Sequence, residues 1–325
     1  MFLFNVLLLV IGFAALIKGA DLFVEGSSAL AKNFKVPGLI IGLTIVALGT
    51  SAPELAVSTS AALCGSNEIA LSNVVGSNIF NLLCVLGICA VIHTVPVESE
   101  VIKRDFPLSI AAAAFLLFAA NPKAPLSLKL LQGNMDDNAG NISRLTGIMI
   151  LAAFLIYIIV LIHHARKNPQ KEEAAVCMPL WKCFIFIAIG LLLIIGGGQG
   201  VVYSAKQIAR TVGMSETLIG LTIVAIGTSL PELVTSVVAA RKGETGLAVG
   251  NVIGSNIFNI LFILGVSTVI HPIGVNTASL YDLIILIAVS IITYIFAISK
   301  KAIKRIDGII MIGLYIGSVI FAILR

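Results

Sequence analysis

The stretch GLTIVALGTSAPEL, residues 42–55, is written a second time as GLTIVAIGTSLPEL at 220–233, 178 residues further on. The agreement does not stop there. SNVVGSNIFNLLCVLG at 72–87 is matched by GNVIGSNIFNILFILG at 250–265 at the same offset, without insertion or deletion, so the repeated units are 42–87 and 220–265. In each copy a Gly, a Thr, a Ser, a Pro and one Glu interrupt an otherwise apolar run. Glu54 and Glu232 are the residues that a purely structural choice would not put there.

The rest of the chain says what medium those carboxylates sit in. It has 325 residues, 58% of them hydrophobic and 11% charged, with a mean hydropathy of +1.09, which is the composition of an all-α polytopic membrane protein. A span takes about 20 apolar residues. About ten such segments can be marked, near 2–17, 36–63, 68–92, 106–121, 146–163, 182–199, 215–240, 246–270, 280–298 and 307–324. The first has no basic region before its apolar run, so it reads as a retained span rather than a secretory signal. With the N-terminus outside, about 15 of the Lys and Arg residues fall in cytoplasmic connections and 6 in outer ones, which places both termini outside. No basic stripe forms on a soluble face, which excludes nucleic acid as a partner. The five cysteines, Cys64, Cys84, Cys89, Cys177 and Cys183, are odd in number and read as small apolar packers. The four histidines lie at span ends, and no nucleophile has a base beside it, so neither an enzyme nor a cofactor is expected.

The organisation follows from the repeat. A polar segment at 18–38 reads as an interfacial helix end. The outer connection 121–145 reads as a loop partly ordered by its LSLKLL run. A polar connection at 166–181 separates a first half, 1–165, from a second, 182–325. Five spans in each half make the second half enter the membrane from the opposite side. Two inverted-topology five-helix repeats, with the second, third, seventh and eighth helices interrupted, are the signature of secondary transporters that bind at the midplane.

The chemistry of the repeated blocks agrees with that architecture. Pro53 removes a backbone donor just before Glu54, so a kink near Ala47–Gly49 with freed carbonyls is expected. Such carbonyls are tolerable at membrane depth only where they line protein or water. Thr50 and Glu54 are four residues apart, as are Ser77 and Asn81, which puts each pair on one helical face; Thr228 with Glu232 and Ser255 with Asn259 repeat the pattern. An ionised carboxylate at the bilayer centre costs roughly 2.5–3.5 kcal/mol on insertion scales. No Lys or Arg stands in the four signature segments, so a transported cation is the natural partner. The donors are all oxygen, which suits hard cations such as Ca²⁺ or Na⁺. Single polar residues such as Ser58, Ser60 and Thr44 read as helix-packing contacts.

At these residues the chain resembles the calcium/cation antiporter superfamily, and within it the prokaryotic sodium/calcium exchangers of the YrbG-like group. The resemblance rests on GTSAPE with GSNIFN and GTSLPE with GSNIFN, and extends over nearly the whole chain. It implies ten transmembrane helices, a central site between the second, third, seventh and eighth, and alternation by movement of the first and sixth. It further implies Ca²⁺ binding by Glu54 and Glu232, aided by the carbonyls of Thr50 and Thr228. Sodium ligands map to Ala47, Ser51 and Ser77 and to Ala225, Ser229 and Ser255, with three Na⁺ coupled to one Ca²⁺. The chain departs from several such exchangers in carrying Asn81 and Asn259 where one repeat has Asp, so its centre holds two carboxylates rather than three acids. Na⁺/Ca²⁺ exchange in a prokaryotic inner membrane is the leading expectation. Ca²⁺/H⁺ exchange or K⁺-dependent Na⁺/Ca²⁺ exchange on the same scaffold remains the alternative.

Overall fold

The computed structural model describes residues 2–65, 67–121, 135, 137–167, 178–213 and 225–324. Residues 220–224 of the second motif, the LSLKLL run of the outer connection and most of the 166–181 connection with Cys177 lie outside the described residues. The chain forms helices α1 (Phe2–Phe34), α2 (Gly38–Thr50), α3 (Ala52–Leu63), α4 (Glu68–Ile92), α5 (Phe106–Ala120), α6 (Arg144–Lys167), α7 (Leu180–Thr211), α8 (Ala225–Thr228), α9 (Leu230–Arg241), α10 (Thr245–Ile270), α11 (Thr277–Lys300) and α12 (Arg305–Leu324). Among the described residues, seven of these are long and apolar enough to cross a membrane singly, and α2 with α3 forms an eighth, bent span. The protein is a helical, multi-pass membrane protein.

Burial sorts the helices. The apolar windows of α4 and α10 are 72% and 78% buried inside the protein, against 22% for both α1 and α7, so the repeated blocks form the centre and α1 and α7 lie outside it. These two outer helices run antiparallel and touch backbone to backbone. A Cβ placed on Gly19 would come within 2.8 Å of Gly190 O, and one on Gly190 within 2.6 Å of Phe23 N. Only glycine permits that approach.

Helix α1 is twice as long as the 2–17 segment expected. Residues 18–34 continue the helix because Ala20, Phe23, Val24, Leu30 and Ala31 keep an apolar face buried, while the polar residues find partners. Lys242 Nζ stands 3.2 Å from Asp21 Oδ1, and Ser28 Oγ donates to Glu244 Oε1 at 2.5 Å. Pro37 then enforces the stop.

The interruptions also differ from the expectation. The second span breaks at Ser51 (φ −83°, ψ 9°), with a 50° bend between α2 and α3, rather than at Ala47–Gly49. Pro53 sits in the first turn of α3, where its missing N–H is not needed, so the irregular residue is the one just before the helix. Ser229 (φ −93°, ψ 8°) holds the same conformation between α8 and α9. The third and eighth spans are not interrupted. Neither contains a proline, so no backbone donor is lost, and each widens into a π turn, at Asn81–Val85 and Asn259–Ile263. Leu86 N–H bonds back to Asn81 O and Leu264 N–H to Asn259 O. A π turn costs helical regularity and is found mostly where a side chain must be re-aimed.

Among the described residues, four short strands supplement the helices. β1 (Val95–Pro96) pairs antiparallel with β4 (Ala302–Ile303), and β2 (Asn138–Ile142) with β3 (Ile273–Asn276). The last part of the 121–145 connection is therefore a strand. Each ribbon joins a loop after one signature helix to the loop before the last helix of the other half, tying the two halves at their ends.

Candidate cation-binding site

The two breaks set the carboxylates. Ending α2 at Thr50 and restarting at Ala52 puts Glu54 in the first turn of α3; Glu232 stands in the first turn of α9. Each accepts from its own backbone amide there, where a helix start favours negative charge. Both side chains are fully buried.

Their partners are exchanged between the repeats. Ser229 Oγ donates to Glu54 Oε1 at 3.0 Å, and Ser51 Oγ donates to Glu232 Oε1 at 2.8 Å. Ser77 Oγ lies 3.3 Å from Glu54 Oε1 and 2.9 Å from Ser229 Oγ, and Ser255 faces Glu232. Asn259 Nδ2 reaches Ser77 Oγ at 3.3 Å and Asn78 Oδ1 at 3.0 Å. Ala47 is buried in α2, and Ala225 opens α8.

Thr50 Oγ1 donates to Asn251 Oδ1 at 3.0 Å, and the same hydroxyl faces Glu232. Thr228 Oγ1 has no such partner. Among the described residues, Glu54 Oε2, Glu232 Oε2, Asn81 Oδ1, Asn259 Oδ1 and Thr228 Oγ1 are buried without a hydrogen-bond partner. No Lys, Arg or His among the described residues pairs with either carboxylate. Buried oxygens that neither hydrogen-bond nor meet a protein cation are costly. A hard cation satisfies both their charge and their lone pairs at once.

Two pairs of residues behind the site escape a reading of the sequence. Asn73 Nδ2 donates to Ser58 Oγ (3.0 Å) and Glu54 O (3.4 Å), and Asn251 Nδ2 donates to Ser236 Oγ (2.9 Å) and Glu232 O (3.4 Å). They strut α3 on α4 and α9 on α10, so the carboxylate-bearing turns are held in place. Asn78 and Asn256 bond reciprocally across the centre, each amide to the other's backbone carbonyl at 3.1 and 3.3 Å. The one signal in the sequence is that all of them recur at the 178-residue offset.

Comparison with known proteins agrees with this geometry. The family model described as sodium/calcium exchanger protein matches residues 4–163 and 182–324. The chain is 34% identical to the inner membrane protein YrbG of Escherichia coli, over 82% of this chain and 79% of that protein. It is 32% identical to the sodium/calcium exchanger MaX1 of Methanosarcina acetivorans, over 96% of both. A solved structure of the sodium-calcium exchanger NCX_Mj, soaked with Na⁺ and Sr²⁺, superposes with a TM-score of 0.81 at 30% identity and covers 98% of each chain. The chain belongs to the sodium/calcium exchanger protein family, whose members are transporters of cations.

Proposed function

We propose that the protein is a secondary antiporter exchanging Na⁺ for Ca²⁺ by alternating access, with Glu54 and Glu232 as the two halves of one Ca²⁺ site. The observation that carries this reading is the exchange of serines, Ser51 to Glu232 and Ser229 to Glu54, around two carboxylates that have no cationic side chain beside them among the described residues. Their combined charge when ionised is balanced by one Ca²⁺ or by two monovalent ions. Ions that share the same carboxylates exclude one another, and mutual exclusion couples an exchanger. In this reading the carbonyls of Thr50 and Thr228 complete the Ca²⁺ shell. Ala47, Ser51, Ser77, Ala225, Ser229 and Ser255 serve Na⁺, and Asn81 and Asn259 supply neutral oxygens.

The architecture proposed with it is ten spans in two inverted halves, 1–165 and 182–325, joined by a cytoplasmic connection at 166–181. Both termini lie outside a prokaryotic inner membrane. Its support is the 178-residue repeat, matched at hydrogen bonds such as Asn73 to Ser58 and Asn251 to Ser236, and the bias of Lys and Arg among the connections. A second reading, Ca²⁺/H⁺ or K⁺-dependent Na⁺/Ca²⁺ exchange, is favoured by one observation: Asn81 and Asn259 leave the centre without a third acid. Ca²⁺ flux in proteoliposomes under imposed Na⁺, K⁺ and H⁺ gradients, one at a time, separates the two. Flux driven by Na⁺ alone supports the first reading; flux that ignores Na⁺ and follows H⁺, or Na⁺-driven flux that also requires K⁺, supports the second.

A further inference from the structure

A cavity of about 890 Å³ lies between α1, α2, α6, α7 and α10, apart from the carboxylate site. Two of its lining residues, Lys35 and Arg166, are cationic, and nearly all the others are apolar. Along α2 it runs from Ile40 to Gly49, with Lys35 and Val36 just before that helix, and along α6 from Arg166 back to Phe154. At 1.5 Å per residue the α2 path is about 14 Å and the α6 path about 18 Å long, close to one leaflet of a hydrocarbon core about 30 Å thick. Both cations therefore stand at one end, at interface depth, with an apolar slot reaching from them to mid-membrane. The slot opens sideways, since its lining residues Leu48 and Leu155 are 56% and 63% exposed.

Lys35 holds a second clue. It ends α1 with φ +53°, a conformation that favours glycine, and the equivalent position in the second half, 178 residues on, is Gly213 with φ +84°. The first half thus keeps a lysine where the fold is satisfied more easily by glycine. Among the described residues neither Lys35 nor Arg166 forms an ion pair. Both are exposed, so the cost of the Lys35 backbone is met at a position where it sets a positive charge at the mouth of the slot, beside Arg166.

We infer that this cavity binds one anionic phospholipid, with its phosphate between Lys35 and Arg166 and an acyl chain in the slot between α2 and α6. A zwitterionic lipid offers the same chains without the net negative charge, and a free phosphate leaves the apolar slot unfilled, so charge and shape together select an anionic lipid.

Native mass spectrometry of the purified full chain, offered equal amounts of phosphatidylglycerol and phosphatidylcholine, tests this. The protein is expected to retain one phosphatidylglycerol with about tenfold or greater preference. The double variant Lys35→Gly/Arg166→Gln should lose the preference; Lys35→Gly installs the residue that the other half already carries, so it relieves the backbone. Ile158→Trp, which fills the slot while leaving both cations, should weaken retention of the lipid. Equal retention of the two lipids by the unaltered protein, unchanged preference in the double variant, or unchanged retention in Ile158→Trp would each overturn the inference.

Discussion

Ser51 and Glu232 meet across the two halves of the chain, the serine Oγ donating to Glu232 Oε1 at 2.8 Å, 181 residues away in sequence. Ser229 returns the contact to Glu54 at 3.0 Å. Each repeat therefore orients the carboxylate of the other. In the proposed site neither half suffices alone, and a movement of one repeat against the other would act directly on both acids.

Removing either serine hydroxyl tests that interdependence. A hydrogen bond to a charged group contributes about 1.5–3 kcal/mol, so Ser51→Ala and Ser229→Ala should each weaken apparent Ca²⁺ affinity by about 10- to 100-fold. Calcium titrations of both variants and of the double variant check it. In the proposed site the two bonds flank one ion, so their effects should not add.

The struts behind the site make a prediction about stability. Asn73→Ala leaves Ser58 Oγ buried without its donor and should cost about 1–3 kcal/mol. Asn251→Ala also removes the acceptor for Thr50, so it should lower the melting temperature of the purified protein further than Asn73→Ala does. Thermal unfolding in detergent, followed by size-exclusion fluorescence, compares them.

What could be read in the sequence and what could not separate along these residues. Glu54 and Glu232 stood out because a carboxylate in an apolar run is costly, and duplication of the whole neighbourhood turned two oddities into one site. Asn73 and Asn251 did not stand out, since a lone amide in a span is ordinarily a packing contact. Only the structure gives it a named acceptor. Pro53 announced a break but not its position, because proline in a first helical turn is satisfied and the distortion falls on Ser51. The π turns at Asn81 and Asn259 depend on a one-residue shift of backbone pairing that leaves no compositional trace. The polar residues of 18–34 looked interfacial because their partners, Lys242 and Glu244, are more than 200 residues away.

The seam between α1 and α7 should tolerate no added side chain. A Cβ at Gly190 would meet Phe23 N at 2.6 Å and Gly19 O at 2.8 Å, both backbone atoms. Gly190→Ala is expected to destabilise the protein by about 1–3 kcal/mol. Gly196→Ala on the same helix, where a Cβ meets nothing within 4 Å, should be neutral. Thermal unfolding of the two variants side by side makes the comparison.

Asn259→Asp should change the proton dependence of transport. A third carboxylate beside Ser77 and Asn78 leaves one negative charge in excess of a bound Ca²⁺, and a buried excess charge is relieved by protonation. Ca²⁺ exchange measured from pH 6 to pH 9 is expected to become more steeply pH-dependent than in the unaltered protein. An unchanged profile would mean that position 259 does not face the ion.

In the proposed mechanism Glu54 and Glu232 bind one Ca²⁺ between them. The direct measurement is Na⁺-gradient-driven ⁴⁵Ca²⁺ uptake into proteoliposomes containing Glu54→Gln or Glu232→Gln, each variant first verified as folded by its elution profile and melting temperature. Loss of one of two buried charges facing the ion should reduce uptake by about 100-fold or more in both variants. Uptake at the unaltered rate by either folded variant would mean that the two carboxylates do not share the ion.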